Sequence, residues 1–181
     1  AYPEFFQTQL RAILRASLEG EVSILFPMVS TLEEVVKLKK MVDKTMLKLS
    51  RQKIPFRDDP QLGVMLEVPA AVLALRSLLK EVDFVSIGSN DLTQLILGVD
   101  RDSEIVAPIF DERNPAVKHM IAQVIAVCRR KNRKIGICGQ APSDYPEFAE
   151  FLVEQGINSI SLNPDTVLKT TLAILEAEKG H

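Results

Sequence analysis

The chain has 181 residues, 46% of them hydrophobic and 25% charged, with a formal net charge of -2. That length suits one domain with a sizeable core, and so small a charge gives no electrostatic drive toward nucleic acid or an anionic membrane. No apolar run could span a bilayer, no signal-peptide pattern opens the chain, and Cys128 and Cys138 make neither a disulfide framework nor a zinc site, so a reducing cytoplasm fits best. From Pro3 to Leu18, apolar residues recur at Phe6, Leu10, Ile13 and Leu14, which predicts a helix stopped by Gly20. Strand-like Ser23–Phe26 follows. Ser30-Thr31-Leu32-Glu33 reads as a capping box, opening a helix with Val35, Leu38, Val42, Met46 and Leu49 on one stripe. Arg51 to Gln61 is charged, holds two prolines and reads as a loop.

Val64-Met65-Leu66-Glu67 is a second strand, and Pro69 suits the first turn of a helix over Ala70 to Leu79. Asp83 to Gly88 is a third strand, after which Asp91 can cap a helix running to Leu97. Asp100 to Arg113 is a long irregular segment, and in compact domains such segments often carry function. Asn114-Pro115 starts a helix whose buried stripe is Val117, Ile121, Val124 and Cys128. Ile135-Gly136-Ile137-Cys138 is a fourth strand. Ser143 or Asp144 then opens a helix closed by Gly156, Ile160 to Asn163 is a fifth strand, and Asn163-Pro164-Asp165 opens the last helix. The abrupt start at Ala1, in helix-forming material, suggests a piece of something larger.

Repeated strand–helix order implies an α/β fold with a parallel sheet, because parallel neighbours need a crossover. Alternation alone does not separate a doubly wound sheet from a barrel. A complete eight-stranded barrel takes about 250 residues, so five units are an open sheet or most of a barrel lacking its first strands. Either way, ligands sit at the carboxyl ends of the strands. The apolar runs here end in polar or reactive side chains.

Glu67 closes one strand and Asp91 follows another. Two carboxylates with open positions are what Mg²⁺ prefers, whereas the plainer reading makes each a helix cap. Gly88-Ser89-Asn90-Asp91 combines close backbone approach with amides at a helix start, an anion site that many turns imitate. Arg101, flanked by Asp100 and Asp102, is either a bidentate clamp for carboxylate or phosphate or a surface ion pair. Cys128 falls on an apolar stripe and packs. Cys138 ends a strand, so its sulfur should point at the mouth, where a thiol can act as acid, base or nucleophile. His119 reads as a solvated helix residue and His181 as part of a disordered tail.

Taken together, Gly63 to Ala70, Val82 to Gln94, Gly98-Val99-Asp100-Arg101 and Gly136-Ile137-Cys138-Gly139 resemble the PEP-utilising enzyme family. Its members include phosphoenolpyruvate synthase, pyruvate phosphate dikinase and enzyme I of the sugar phosphotransferase system. The resemblance extends over residues 1–181. It implies a partial TIM (β/α)8 barrel, about the last five strand–helix units, forming the carboxyl-terminal portion of a PEP/pyruvate-binding domain in a larger multidomain enzyme.

The same resemblance implies Mg²⁺, or Mn²⁺, held by Glu67 and Asp91. It places Ser89, Asn90, Asp91 and Arg101 against substrate, with Arg101 steadying the transferring phosphoryl group. Cys138 would deliver or remove a proton at C3 of the enolpyruvate. The implied partners are PEP or pyruvate, a phosphohistidine domain of the same full-length protein, and a second copy in a homodimer. Neither His119 nor His181 sits in the family's Thr/Ser-rich phosphohistidine motif, so the isolated chain is expected to be inactive. Pro3 to Ser17 and Phe26-Pro27-Met28 look like enzyme I. Asp111 to Val117, Gly139 to Asp144 and Ser159 to Asp165 look like the synthase, and Gln140 replaces the glutamate usual after Cys-Gly in enzyme I. The synthase side is favoured. Metal-dependent lyases acting on pyruvate enolates, or a non-catalytic binding fragment, are the competing classes.

Overall fold

The apolar runs become five parallel strands in a computed structural model that describes residues 2–179: β1 Ser23–Phe26, β2 Gln61–Leu66, β3 Phe84–Gly88, β4 Lys134–Cys138 and β5 Ser159–Ile160. They lie side by side in chain order, each paired in parallel with the next. A doubly wound sheet reverses its strand order partway, whereas a barrel wall does not. The fold is therefore five consecutive units of a (β/α)8 wall. Among the described residues, β1 and β5 each have one strand neighbour, so both edges of the wall are open.

Helix α1 Pro3–Ala16 precedes the sheet; α2 Leu32–Arg51, α3 Pro69–Leu73, α4 Leu75–Leu78, α5 Ser89–Leu97, α6 Pro115–Arg130, α7 Ala141–Asp144 and α8 Pro146–Gln155 fill the crossovers; α9 Val167–Lys179 follows β5. Several boundaries differ from expectation, each for a local reason. The capping box sits one residue later: Thr31 Oγ1 accepts from the Glu34 amide at 3.3 Å, while Glu34 accepts from the Ser30 and Thr31 amides at 2.8 and 2.9 Å. Glu34, not Glu33, occupies the third helical position, and those amides lower its pKa. The helix expected over 70–79 breaks at Ala74 (φ -83°, ψ 0°), and Leu75 and Leu78 then bury themselves. Arg51 is the last residue of α2, Gln61 the first of β2, and β5 is only two residues long. Ser143 and Asp144 do not cap α8; they form the single turn α7, and Tyr145 precedes Pro146 without a side-chain cap. Asn114 caps α6 through the Ala116 amide at 2.9 Å, and Gly156 ends α8 in a left-handed turn, φ 82°.

Strand register sorts the side chains. Phe26, Val64, Val85 and Ile135 are in line across the sheet, as are Leu66, Ile87, Ile137 and Ile160. With Ile24 they face the helices, and all but Ile160 are buried. The alternate residues, Leu25, Gly63, Met65, Phe84, Ser86, Gly136, Cys138 and Ser159, face the concave side. There the Phe84 ring lies over Gly63, where a Cβ would meet it at 2.5 Å. A concavity of about 520 Å³ opens on this face, lined in part by Leu25, Phe84, Ser86 and Gly136. No helix among the described residues is long and apolar enough to cross a membrane.

Candidate functional site at the carboxyl rim

Glu67 follows Leu66 at the end of β2 and shares the concave register of Met65. Cys138 ends β4 opposite Gly88, on the same face. Three adjacent strands thus deliver a carboxyl, a gap and a thiol to one rim. Gly88 is the gap: a Cβ there would come within 2.8 Å of Glu67 Oε2 and 2.9 Å of Glu67 Cβ. The missing side chain is the space in which the carboxyl lies.

Glu67 is 3% exposed, and its Oε1 accepts from the Met28 amide. Met28 reaches it with φ 52°, an uncommon conformation for a residue with a side chain. Asp91 is the third residue of α5, and its carboxyl is near enough to Glu67 to raise the Glu67 pKa. Burial pushes the Glu67 pKa up; the Met28 amide opposes this and the Asp91 carboxyl adds to it. Neither acid caps a helix, since α3 and α5 have no side-chain cap. The two carboxyls face each other instead, an arrangement relieved by a shared proton or a cation.

Among the described residues no cluster of three or more His, Cys, Asp or Glu could hold a metal. Mg²⁺ and Mn²⁺ do not need one. One or two carboxylates suffice when water and substrate oxygens complete the shell, so a buried Glu67 beside a half-exposed Asp91, both hard donors, fits either ion.

Arg101 approaches the same point from the irregular segment. Its Nη2 lies 3.9 Å from Asp91 Oδ1, so its ion pair is with neither Asp100 nor Asp102. Those two close their own turn, the Asp102 amide donating to Asp100 Oδ1 at 3.0 Å. Arg101, Asn90, Asp102, Phe110 and Gln140 line a cleft of about 390 Å³. Asn90 Oδ1 accepts from the Gln140 amide at 3.2 Å. Ser89 is buried, with its hydroxyl 3.2 Å from the Cys138 carbonyl.

The two thiols differ as expected. Cys128 is sealed in α6, and burial pushes its pKa up to about 12. Cys138 is half-buried, its Sγ 3.5 Å from the Ile87 carbonyl and 4.0 Å from Ser86 Oγ. Burial raises its pKa, the Ser86 hydroxyl pulls it down, and Glu67 and Asp91 push it up. That last influence means the thiol shares its surroundings with both acids. His119 is exposed on α6 with its Nε2 2.9 Å from Gln123; His181 lies outside the described residues.

Two contributors escaped the sequence reading. Met28 gives no signal, because its role is an amide in an unusual conformation. Glu112 sits in an ordinary-looking Asp-Glu-Arg run, yet it is 6% exposed and accepts from the Ala141 amide at 3.0 Å. Its burial shows only once the segment is folded against α7.

A barrel wall carrying paired acids, an amide, an arginine and a thiol at its carboxyl rim defines a class of domain built around a small anionic ligand. The profile described as "PEP-utilising enzyme, PEP-binding domain" matches residues 1–179, and the chain belongs to that family. It is 46% identical to phosphoenolpyruvate synthase of Aquifex aeolicus over 98% of this chain and 20% of that one. Against phosphoenolpyruvate synthase of Helicobacter pylori the identity is 43%, over 99% and 22%. The Synechocystis sp. phosphoenolpyruvate synthase is 61% identical over 66% of this chain and 15% of its own length. The chain thus spans about a fifth of the length of the curated relatives it matches. Among solved structures, a citrate lyase of Burkholderia xenovorans superposes with a TM-score of 0.67 at 17% identity, over 94% of this chain and 53% of that one, a likeness of fold alone.

Proposed function

We propose that residues 1–181 are the PEP/pyruvate-binding part of a Mg²⁺-dependent phosphotransferase of the phosphoenolpyruvate synthase type. A phosphoryl group passes between PEP/pyruvate and a phosphohistidine on another domain of the same full-length protein. The observation that carries this reading is the meeting of Glu67 and Asp91 at the rim, with the Cys138 thiol on the same concave register. Identity to synthases over nearly the whole chain supports the synthase type over enzyme I.

Glu67 and Asp91 hold Mg²⁺, or Mn²⁺ in its place. When bound, the ion neutralises charge on the substrate's enolate and phosphoryl oxygens. Glu67 is held by the Met28 amide, so it is oriented before substrate arrives, while Asp91 stands beside it in the first turn of α5. Arg101, exposed and tethered only at 3.9 Å to Asp91, is free to swing onto a phosphoryl oxygen. The carboxamide of Asn90 and the backbone amides of Ser89, Asn90 and Asp91 face the anionic end of the three-carbon acid. The Cys138 thiol delivers a proton to C3 when pyruvate forms and is left as a thiolate; when PEP forms, that thiolate takes the proton from C3 and the thiol is restored. Burial first, then the Glu67 and Asp91 charges, raises its pKa and favours the protonated form.

Among the described residues His119 is the sole histidine, exposed on α6 and outside the rim. Neither His119 nor His181 lies in the Thr/Ser-rich motif of the family's phosphohistidine, which supports the reading that this span alone does not turn over PEP. The full-length protein works in the cytoplasm as a homodimer.

Titrating Mn²⁺ with oxalate into the wild type and Glu67→Gln, followed by water proton relaxation, tests the site. Losing one of two carboxylate ligands should weaken binding by about 10-fold to 100-fold. Equal binding by both proteins removes Glu67 from the site.

A further inference from the structure

The turn after Cys138 is held from two sides. On one side, the start of α5 supplies Ser89 Oγ, 3.2 Å from the Cys138 carbonyl, and Asn90 Oδ1, which accepts from the Gln140 amide at 3.2 Å. On the other, Glu112 Oε2 accepts from the Ala141 amide at 3.0 Å. The turn pivots on Gly139, whose φ of 153° and crowded surroundings exclude a side chain. A Cβ there would lie 1.8 Å from Ser89 Oγ, 3.0 Å from Asn90 Oδ1 and 3.1 Å from Glu112 Oε1.

Glu112 itself is costly to keep. It is 94% buried, and among the described residues its Oε1 has no hydrogen-bond partner. Ser89 has one hydroxyl hydrogen to share between the Cys138 carbonyl and the Glu112 carboxyl, and cannot satisfy both. Flanking residues show what an acid in this segment otherwise does: Asp111 pairs with Arg113 at 3.0 Å, and Arg113 stacks over the Tyr145 ring at 3.9 Å, all near the surface. Glu112 alone turns inward, between Ser89 and Ala141. A buried, incompletely satisfied carboxyl calls for a reason beyond packing.

We propose that Glu112 is a positioning residue, which clamps the Cys138–Ala141 turn through the Ala141 amide and thereby sets where the Cys138 thiol lies at the rim. Reach, not charge, is what the clamp requires. The role of that placement in proton transfer rests on the proposed function; the clamp itself does not.

The test compares Glu112→Gln, which keeps reach without charge, with Glu112→Asp and Glu112→Ala, which lose reach, each checked for wild-type melting. Iodoacetamide labelling of Cys138 is read by mass spectrometry, with Cys128 sealed as the internal control. Glu112→Gln should label within about 2-fold of the wild type, while the Asp and Ala variants label about 10-fold faster as the turn loosens. In the full-length protein with Mg²⁺, deuterium uptake at C3 of pyruvate should fall about 10-fold to 100-fold in the Asp and Ala variants, with pyruvate KM unchanged, and be restored in Glu112→Gln. Equal labelling in all variants overturns the clamp, as does a charge order in which Asp behaves as the wild type and Gln as Ala. Should both shortened variants unfold, amide exchange in the wild type decides: protection of the Ala141 amide supports the clamp, and loop-like exchange overturns it. Correct labelling order without C3 exchange in the wild type leaves the clamp standing and sinks the assignment of Cys138.

Discussion

On its helix-facing side the sheet presents Ile24, Phe26, Val64, Leu66, Val85, Ile87, Ile135 and Ile137, none more than 4% exposed. On its concave side the same strands, one residue out of step, present Leu25, Gly63, Met65, Phe84, Ser86, Gly136 and Cys138, large apolar side chains interspersed with glycine, serine and cysteine, most of them half-exposed. The first face is nearly all branched and aromatic hydrocarbon, each side chain contributing about 1.5–3 kcal/mol on burial. The second face leaves room. Its glycines stand where another side chain lies, Gly63 beneath Phe84 and Gly88 beside Glu67. A single sheet therefore divides labour by residue parity: one face holds the fold, the other gathers groups that are expensive to bury.

Breaking the first face should have the largest effect. Phe26 is 1% exposed and packs against Phe6 of α1, ring centroids 6.3 Å apart. Phe26→Ala should cost about 3–5 kcal/mol, read as a fall in the urea midpoint with the slope unchanged. A loss under about 1 kcal/mol would mean that this face is not the core it looks to be.

Parity also explains what was legible in the sequence. The strand runs, the α2 and α6 stripes, the Asn114 cap and the Gly156 stop could be read because each rests on neighbours a few residues away. Glu67, Asp91 and Cys138 were legible as strand-end residues, and their meeting follows from sequential strand order. That order could not be read from alternation alone, because a doubly wound sheet alternates in the same way. The Glu33–Glu34 shift went unseen since either acid satisfies the local pattern, and only the geometry of Thr31 chooses. Met28 and Glu112 depend on partners 39 and 29 residues away, contacts that no local pattern encodes.

A sharper form of the comparison uses pH. Burial raises the Glu112 pKa above its ordinary 4.5, with Ser89 and the Ala141 amide opposing and Asp144 and Asp111 adding to the rise. The folded chain then holds this proton more tightly than the unfolded chain does. The contribution is fully present below about pH 4.5 and is lost as pH rises through the folded-state value. Glu34 runs the other way: its lowered pKa gives stability above pH 4.5 that disappears in acid. Glu112→Gln should therefore gain stability relative to the wild type as pH is raised from 4 to 8, by less than the Phe26→Ala loss, in urea melts across that range. A difference between the two proteins that stays constant with pH would show that Glu112 titrates alike in the folded and unfolded chains.

The smallest energetic effect belongs to Ser86, on the concave face in line with Met65 and Gly136. Its hydroxyl is 4.0 Å from the Cys138 sulfur and lowers the thiol pKa, against burial and two acids that raise it. Ser86→Ala removes only a long sulfur contact on a half-exposed face, so stability should change by less than about 0.5 kcal/mol. The chemistry should respond where the stability does not. With the one lowering influence gone, Cys138 is less ionised at any given pH, and the pH profile of its iodoacetamide labelling should move to higher pH. Cys128, already pushed up to about 12, stays unreactive in both proteins until they unfold. An unmoved profile would mean that the hydroxyl does not reach the thiol in solution. A moved profile with unmoved stability is the behaviour that separates a face built for reactivity from one built for packing.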